Sequence, residues 1–264
     1  SMRILIAVAV CAVALAACSR DSETPAATSP VAEPEVSIYS AALTSESRPE
    51  ADLAADAARK PDAVLAFFGI QPGDVVLEMW AAGGYYTELL SSVVGPQGKV
   101  IAHDNTPSLN FSGEAHAARH ADNRLANVEL LRAENNELAL EADRFDAVTI
   151  VLNYHDVYWS SEQYGWVQID VPPFVAELYE SLKPGGILGI VDHQAEPGSP
   201  ADTGNTLHRI DSAIVIADLE AAGFVLDGES DVLRSGADDY SVNVFDPAVR
   251  GKTDRFVLRF RKPR

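Results

Sequence analysis

The amino-acid sequence predicts an α/β protein built on one Rossmann-like, doubly wound sheet of seven strands. The prediction rests on three observations. Short apolar runs alternate with helical segments, turns rich in Gly and Pro separate them, and the spacing suits parallel strands connected by helices. Ligands bind such sheets at the carboxyl ends of the strands, so functional residues are expected directly after the predicted strands.

The first predicted elements follow from local patterns in chain order. Residues 37–70 have helical periodicity, and Pro61 suits the first turn of a helix there. The apolar run Val75–Met79 is short and follows the turn at residues 71–74, so a buried strand fits it better than a helix. The other predicted helices are Tyr85–Val94, about 113–125, Val171–Leu182 and Ile210–Ala222.

Six further strands complete the predicted sheet. The turns GPQG at 95–98 and KPGG at 183–186 precede two of them. The last strand (RFVLRFR) alternates between polar and apolar residues, which predicts an edge strand. The six strands are Lys99–His103, Val128–Arg132, Phe145–Leu152, Ile187–Asp192, Phe224–Leu233 and Arg255–Arg261.

The composition limits the class of protein and of partner. The chain has 264 residues and is 47% hydrophobic, which provides enough apolar material for a core and excludes disorder over the whole length. It has 20 basic and 39 acidic side chains, which give a net charge of −19. Nucleic-acid and anionic-lipid surfaces need clustered Lys and Arg, so this charge argues against a nucleic-acid or anionic-lipid partner and says nothing specific about a substrate.

The N-terminal segment has the pattern of a bacterial secretion signal. Arg3 precedes the apolar run Ile4–Ala14, which is shorter than the roughly 20 residues of a membrane-spanning helix and typical of a signal-peptide core. The string LAAC, ending at Cys18, resembles a lipobox, although an ordinary signal with an incidental cysteine stays open. We expect residues 1–17 to be a signal peptide and lipid on Cys18 to be the membrane anchor. Ser19 favours the outer membrane, on the periplasmic side of the envelope.

A tether and a domain without cysteine are expected after the signal. Residues 18–36 are rich in Ser, Thr, Pro, Ala and acidic residues and have no helical or strand period, which predicts a flexible linker before a domain at 37–264. The chain has 2 cysteines, Cys11 in the predicted signal and Cys18 at the lipidation point. The domain therefore has no thiol for a disulfide, a metal site or a nucleophile.

A strand, a tight turn and a helix form the first candidate site. Glu78 stands near the end of the strand at 75–79, and Gly83 and Gly84 open the helix that follows. Glycines allow a ligand close to the backbone, and a helix N-terminus favours polar or anionic groups. Asp104, at the end of the next strand, can accept hydrogen bonds from both ribose hydroxyls of a nucleoside. A turn that needs glycine only for packing stays open as an alternative.

Together with two further motifs, this turn resembles class I S-adenosylmethionine (SAM)-dependent methyltransferases. FDAV at 145–148 is similar to the fourth-strand motif of that family, and LKPGG at 182–186 to its turn before strand five. The resemblance spans about residues 50–262. Within the family, the chain is similar to the predicted methyltransferase lipoproteins, which share a Trp in the glycine loop and the strings NYHD (153–156), DH (192–193), HR (208–209) and GKTDRF (251–256).

The resemblance implies SAM as cofactor and methyl transfer to a small-molecule acceptor. Two glycines of the usual acid-x-Gly-x-Gly-x-Gly pattern are replaced here by Trp80 and Ala82, and Gly84 matches the third. By position, the implied SAM-binding residues are Glu78, Trp80, Gly83, Gly84, Tyr86, Asp104, Glu134, Asn135 and Asn153.

A second constellation follows strands four and five. Three polar pairs are expected to converge at the carboxyl rim of the sheet. They are His155 and Asp156 after strand four, Asp192 and His193 at the end of strand five, and His208 and Arg209 in the loop before the next helix. We assign His155, Asp156 and His193 as catalytic, with His155 as the base. The substrate contacts are assigned to Tyr154, Trp159, His208 and Arg209.

Several alternatives stay open for these residues. The histidines and acids could bind Zn²⁺, Mn²⁺ or Fe²⁺, or form structural hydrogen bonds, and because their spacing matches no compact ligand motif no metal ligand is assigned. The aromatic residues between 154 and 166 fit a substrate lid or a loop packed by its own rings. His116 and His120, four residues apart, are expected on a solvated helix face.

A rival hypothesis follows from Trp80, Ala82 and the predicted export. SAM is made in the cytoplasm, whereas the signal would place the domain outside it. The rival is a methyltransferase-like domain that has lost methyl transfer and works as a ligand-binding or histidine-cluster envelope protein, with or without a metal.

Overall fold

The computed structural model describes residues 37–264, and the signal peptide and tether predicted for residues 1–36 lie outside the described residues. A sheet of 7 strands is ordered β3-β2-β1-β4-β5-β7-β6. Strands β1 to β5 are parallel, and β7 is antiparallel to both of its neighbours. The strands are β1 (Val75–Met79), β2 (Lys99–Asp104), β3 (Val128–Arg132), β4 (Phe145–Val151), β5 (Leu182–His193), β6 (Val225–Ser230) and β7 (Arg255–Arg261).

Helices cover both faces of this sheet. Short 3₁₀ turns add to them at Gly95–Gln97, Ala121–Asn123 and Tyr154–Tyr158. None of the helices between residues 37 and 264 has the length and apolar character needed to cross a bilayer. The helices are α1 (Ile38–Leu43), α2 (Glu50–Arg59), α3 (Pro61–Phe68), α4 (Tyr85–Val94), α5 (Thr106–His120), α6 (Val171–Ser181), α7 (Thr203–Leu207) and α8 (Ser212–Ala221).

The core has two halves, one on each face of the sheet. Val76 packs with α3 and α4, whereas its neighbour Leu77 packs on the opposite face with α6 and α8. Both side chains are fully buried, which explains why the central strand β1 is a nearly continuous apolar run rather than an alternating one. The strand order reverses between β1 and β4, so a crevice for ligands is expected beyond their carboxyl ends.

The predicted doubly wound, seven-stranded α/β sheet is confirmed, but β7 is not an edge strand. It lies between β5 and β6, and β6 is at the edge. The charges of the alternating arginines Arg259 and Arg261 are neutralised inside the sheet, because both side chains pair with Asp227 of β6 at 2.8 Å. Alternation alone cannot separate an edge strand from an inner antiparallel strand whose charges are paired.

Two predicted boundaries are also wrong. The helix expected from about residue 113 begins at Thr106, because the Asn105 side chain caps it by accepting from the backbone N–H of Ser108. The backbone at Gly113 kinks this helix. The fifth strand begins at Leu182 rather than at residue 187, since Leu182 already pairs with Phe145 ahead of a register shift.

Candidate functional site

A cavity of about 640 Å³ lies at the carboxyl ends of β1 and β4. The loop between β1 and α4 forms one wall, and residues of α2, of α5 and of the segment after β4 form the others. This position is the switch point of the sheet, where open α/β folds bind ligands. Of the residues that the sequence assigns to SAM, those that line the cavity are Glu78, Trp80, Gly83, Gly84, Tyr86 and Asn153.

The loop after β1 has the backbone of a glycine-rich loop, although Trp80 and Ala82 occupy two of the three positions where the family pattern has glycine. Trp80 and Ala82 have φ angles of 52° and 50°, in the left-handed region, and Gly84 has a φ of 77°. A side chain in this region costs about 1–2 kcal/mol. At Gly84 a Cβ atom would lie 2.6 Å from Cγ of Arg119, so this position needs glycine.

The carboxyl group of Glu78 is held at the inner end of this cavity. Its side chain is 5% exposed and accepts a hydrogen bond of 2.6 Å from the Thr87 hydroxyl. Burial raises the pKa of Glu78 to about 8. The carboxyl is therefore largely protonated at neutral pH, and a cation bound beside it would favour the ionised form.

Three arginines that the sequence analysis did not assign also line the cavity. Arg119 and Arg124 are paired with Glu88, and Arg119 also pairs with Asp52 at 2.7 Å. The guanidinium of Arg59 lies 4.3 Å from the centre of the Tyr85 ring. Within the described range of 37–264, Arg59 has no carboxylate within 4.0 Å, so its charge is available to an anionic ligand. No local motif marks these residues, because α2 contributes Arg59 whereas α5 and the 3₁₀ turn after it contribute Arg119 and Arg124.

Asp104 is buried behind the glycine loop rather than open to a cavity. Its side chain is 2% exposed, and Oδ1 accepts from the Ala82 N–H at 2.9 Å and from the Ser108 hydroxyl at 2.5 Å. Burial raises the pKa of Asp104. Oδ2 has no hydrogen-bond partner among the described residues, although Nδ1 of His116 lies 3.6 Å away. Asp104 thus fixes the loop against α5 and keeps one free acceptor.

The two remaining residues assigned to SAM line a second cavity, of about 450 Å³. Glu134 accepts from the Thr106 hydroxyl at 2.6 Å, and Oδ1 of Asn135 accepts from the Trp80 indole N–H at 2.9 Å. The Trp80 ring stacks on Phe174 with 5.6 Å between centroids. Trp80 lines the first cavity and Asn135 the second, so their hydrogen bond lies between the two.

The residues after β4 and β5 form a compact histidine cluster with His208, at the end of α7. Nδ1 of His155 lies 2.8 Å from Oδ1 of Asp192, whose Oδ2 accepts from the His155 backbone N–H at 2.7 Å. On the other side of the ring, Nε2 of His155 lies 3.3 Å from Nδ1 of His208 and 3.4 Å from Oδ1 of Asp156. Burial disfavours the charged imidazole, but the carboxylates of Asp156 and Asp192 outweigh burial and raise the pKa of His155 to about 9.

Comparison with known proteins places this chain among methyltransferases. Residues 59–197, more than half of the chain, match the family model described as the ubiE/COQ5 methyltransferase family. The chain belongs to this family. The matched region includes the loops at the strand ends that line the two cavities, and it includes His155. His208 lies beyond it.

Individual relatives agree with the family model. The chain is 29% identical over 133 residues to the ubiquinone/menaquinone biosynthesis C-methyltransferase UbiE of Ectopseudomonas mendocina, covering 50% of this chain and 46% of that protein. It is 31% identical over 130 residues to a 2-phytyl-1,4-naphtoquinone methyltransferase of Synechococcus elongatus, covering 49% and 50%. The chain therefore spans about half the length of the curated relatives it matches.

A solved structure shows the same fold. The crystal structure of a SAM-dependent methyltransferase from Aquifex aeolicus superposes with a TM-score of 0.54 at 24% sequence identity, covering 76% of this chain and 89% of that one. At this identity the similarity concerns the fold alone.

The catalytic residues expected in this family member lie apart from the first cavity. His155, Asp156 and His193 line neither of the two cavities described above. Nδ1 of His193 lies 2.7 Å from the Thr253 hydroxyl, and burial lowers the pKa of His193 well below its ordinary value. Asn153 connects the first cavity to the histidine cluster, since it lines that cavity and donates a hydrogen bond to Oδ2 of Asp156 at 3.3 Å. His155 does not line the first cavity itself, so its role as the base that takes a proton from the acceptor stays a prediction.

Two of the expected substrate contacts of this methyltransferase-family chain are fully buried and paired with carboxylates of the protein itself. The Tyr154 hydroxyl donates to Asp218 of α8 at 3.0 Å, and the residue is fully buried. The guanidinium of Arg209, also fully buried, donates to Asp238 at 2.8 and 3.0 Å. The first contact joins the turn after β4 to α8, and the second joins the segment before α8 to the segment between β6 and β7. Trp159 is partly exposed, with its ring centroid 5.4 Å from that of His208.

The aromatic loop of this family member packs on its own rings. Trp166 lies 5.4 Å from Trp159 and 6.1 Å from Trp80, centroid to centroid, and its indole N–H donates to the Asp156 carbonyl at 3.1 Å. These contacts favour the packed loop over the lid.

Of the two histidines of α5, His116 is not on a solvated face and His120 is half-buried. His116 is buried, with Nδ1 3.2 Å from the Ala82 carbonyl oxygen, because α5 packs against the glycine loop.

Proposed function

We propose that the protein transfers a methyl group from SAM to a small-molecule acceptor. The observation that carries this proposal is the loop after β1. In a member of the ubiE/COQ5 methyltransferase family, this loop keeps a left-handed backbone at all three positions where the family pattern has glycine, at a conformational cost for Trp80 and Ala82. The loop lines a cavity at the switch point of the sheet.

The residues present fit the two halves of SAM unequally. For the methionine half, Glu78 would bind the amino group and Arg59 the carboxylate, both from the wall of the first cavity. For the ribose, the unpartnered Oδ2 of Asp104 is a buried acceptor for a hydroxyl. The adenosine half fits after the hydrogen bond between Trp80 and Asn135 opens, because this bond lies between the two cavities.

The chain contributes binding and orientation to the reaction. SAM supplies an electrophilic methyl group on a positively charged sulfur. Glu78 and Arg59 fix the charged end of the cofactor, and Gly83 and Gly84 leave room for it at the N-terminus of α4. Holding two reactants in line removes much of the entropic barrier to their reaction. Asn153 is the polar residue after β4 on the cavity wall, where it is available to orient an acceptor.

Calorimetric titration of SAM and of its demethylated product into the purified protein tests this function. We expect a dissociation constant in the micromolar range for the wild type, and at least about tenfold weaker binding for Asp104→Asn, which loses the free acceptor. Asp122→Asn, at an exposed acid beyond the end of α5, is the matched control and should bind like the wild type. No heat and no thermal shift at millimolar SAM would overturn the proposal.

One observation favours a second candidate function. The Trp80–Asn135 hydrogen bond and the burial of Asp104 together close the adenosine half of the SAM site. The second candidate is a ligand-binding envelope protein that uses the methyltransferase fold without methyl transfer. The same titration decides between the two, since this candidate binds no SAM.

The acceptor and the location belong to the same proposal. The curated relatives are named for quinone biosynthesis, but the family match ends at residue 197, so we extend the acceptor only to a small molecule. We propose lipid attachment at Cys18 on the periplasmic side of the envelope, on the support of the apolar run and the LAAC string in the sequence. Metabolic labelling with an alkyne fatty acid should mark the wild type and not Cys18→Ala. Labelling of both would contradict this anchor.

A further inference from the structure

We propose that His155, Asp156 and His208 bind one divalent transition-metal ion, Zn²⁺ in the first place, with a water molecule or a substrate atom as its remaining ligand. Nothing in this proposal depends on SAM binding. The three residues come from the 3₁₀ turn after β4 and from the end of α7, and only the 3₁₀ turn lies within the matched family region.

The three potential ligand atoms form a nearly equilateral triangle. Nε2 of His155, Nδ1 of His208 and Oδ1 of Asp156 are separated by 3.3, 3.4 and 3.4 Å. Around a tetrahedral Zn²⁺ with bonds of about 2.0–2.1 Å, neighbouring ligand atoms lie about 3.3–3.4 Å apart. The triangle therefore has the dimensions of one face of a zinc coordination tetrahedron, and the fourth vertex remains for a non-protein ligand.

Hydrogen bonding accounts for the contact between His208 Nδ1 and His155 Nε2 but not for the position of the Asp156 carboxylate oxygen. Oδ1 of Asp156 is buried and has no hydrogen-bond partner in the described part of the chain. Oδ1 of Asp156 lies 3.4 Å from a nitrogen of each imidazole. A hydrogen bond from a charged N–H group to an oxygen has a length of about 2.7–2.9 Å, so both distances are too long for one. A buried carboxylate oxygen without a partner is costly, and a bound cation would satisfy it.

Neighbouring side chains orient the three potential ligands by hydrogen bonds and packing, as they do around bound metal ions. Nδ1 of His155 is directed to the Asp192 carboxylate, which orients the ring and leaves Nε2 to face the triangle; this carboxylate–histidine arrangement is common behind zinc ligands. Asn153 donates to the second oxygen of Asp156. His208 has a left-handed backbone with a φ of 52°, and its ring packs between Trp159 and Phe245 at 5.4 and 5.0 Å. A strained residue fixed by its neighbours is typical of a functional position.

The donor set selects the class of ion. Two imidazole nitrogens and one carboxylate oxygen suit Zn²⁺, Fe²⁺ or Mn²⁺ and do not suit Mg²⁺, which prefers oxygen ligands at about 2.9 Å from one another in an octahedron. The tetrahedral dimensions of the triangle favour Zn²⁺ among the transition metals. The His208 side chain is partly exposed, so an ion can enter from that side.

Zinc binding by the untagged, full-length protein tests the proposal. After treatment with a chelator, the protein is titrated with Zn²⁺, and bound metal is counted by mass spectrometry after gel filtration. We expect about one ion per chain, and visible absorption characteristic of a tetrahedral ion when Co²⁺ replaces Zn²⁺. His208→Ala removes a partly exposed ligand and should weaken zinc binding by at least about 100-fold. His120→Ala, a half-buried histidine on α5, is the matched control and should bind zinc like the wild type.

A second variant separates positioning from coordination. Asp192→Asn keeps the size of the side chain that orients His155 but removes its charge, and should weaken zinc binding by about 10–100-fold. Circular dichroism shows whether each variant is folded. Wild-type protein that retains no zinc after gel filtration, or a loss of zinc that is as large in His120→Ala as in His208→Ala, would overturn the proposal.

Discussion

Replacing Glu78 with glutamine removes one ionisable group from the inner end of the first cavity and keeps an acceptor for the Thr87 hydroxyl. In the wild type, burial raises the pKa of Glu78 from 4.5 in the unfolded chain to about 8 in the folded protein. Between these values, the folded protein holds a proton that the unfolded chain releases. The free energy of unfolding of the wild type therefore falls as the pH rises, by up to about 1.4 kcal/mol per pH unit.

The magnitude follows from the two pKa values. Integrated from about pH 5 to about pH 7.5, the contribution of Glu78 to the free energy of unfolding decreases by about 3 kcal/mol. Glu78→Gln has no such group, so its stability relative to that of the wild type should increase by about this amount over the same interval. Groups that titrate in both proteins cancel in the difference.

Urea unfolding of both proteins at several pH values, followed by circular dichroism, measures this difference. Thr87→Val is a useful companion variant, because it removes the hydrogen bond to Glu78 and keeps the ionisable group. Since the Thr87 hydrogen bond lowers the pKa of Glu78, this variant should have a pH dependence at least as large as that of the wild type. Parallel curves of stability against pH for the wild type and Glu78→Gln would refute the assignment of a raised pKa to this carboxyl.

Three other predictions concern residues around the two sites. Trp80→Gly opens the passage between the cavities and should raise the affinity for SAM by at least about tenfold, as measured by calorimetry. Because it also removes a buried indole, it should lower the free energy of unfolding by about 3–5 kcal/mol, as measured in urea. Asp238→Ala should destabilise the protein by about 3–5 kcal/mol in urea, since it leaves the buried Arg209 unpaired, and should not change the affinity of the folded protein for SAM. Arg59→Gln should weaken SAM binding by about tenfold in the same titration and change stability by less than about 0.5 kcal/mol. An unchanged affinity in Trp80→Gly or Arg59→Gln would contradict the role given to that residue.

The fold was predictable because its signals are local. Runs such as Val75–Met79 are buried on both faces of the sheet, which leaves a short apolar segment between turns. The position of β7 was not predictable, because an inner antiparallel strand with paired arginines has the same alternation as an edge strand. Pairing between strands distant in sequence leaves no mark within either one.

The candidate site was predictable as a set of strand-end residues, but not in its contacts. From residue type and position, the sequence predicts His155 and Asp156 at the carboxyl ends of the strands, and both lie in the turn after β4. The direction of each side chain depends on neighbours from elsewhere in the chain, such as Asp218 for Tyr154 and Asp238 for Arg209. The hydrogen bond of Trp80 joins residues 55 positions apart, so the sequence gives no local sign of it.

The aromatic row between the two sites provides a spectroscopic reporter within the protein. The chain has 3 tryptophans, and all of them belong to this row: Trp80 at the glycine loop, Trp166 in the middle and Trp159 beside His208. A ligand that separates Trp80 from Asn135 should change the emission of one end, and Co²⁺ in place of Zn²⁺ at His208 should quench the emission of the other end. Variants that keep a single tryptophan would therefore show in solution which of the two sites a given compound occupies.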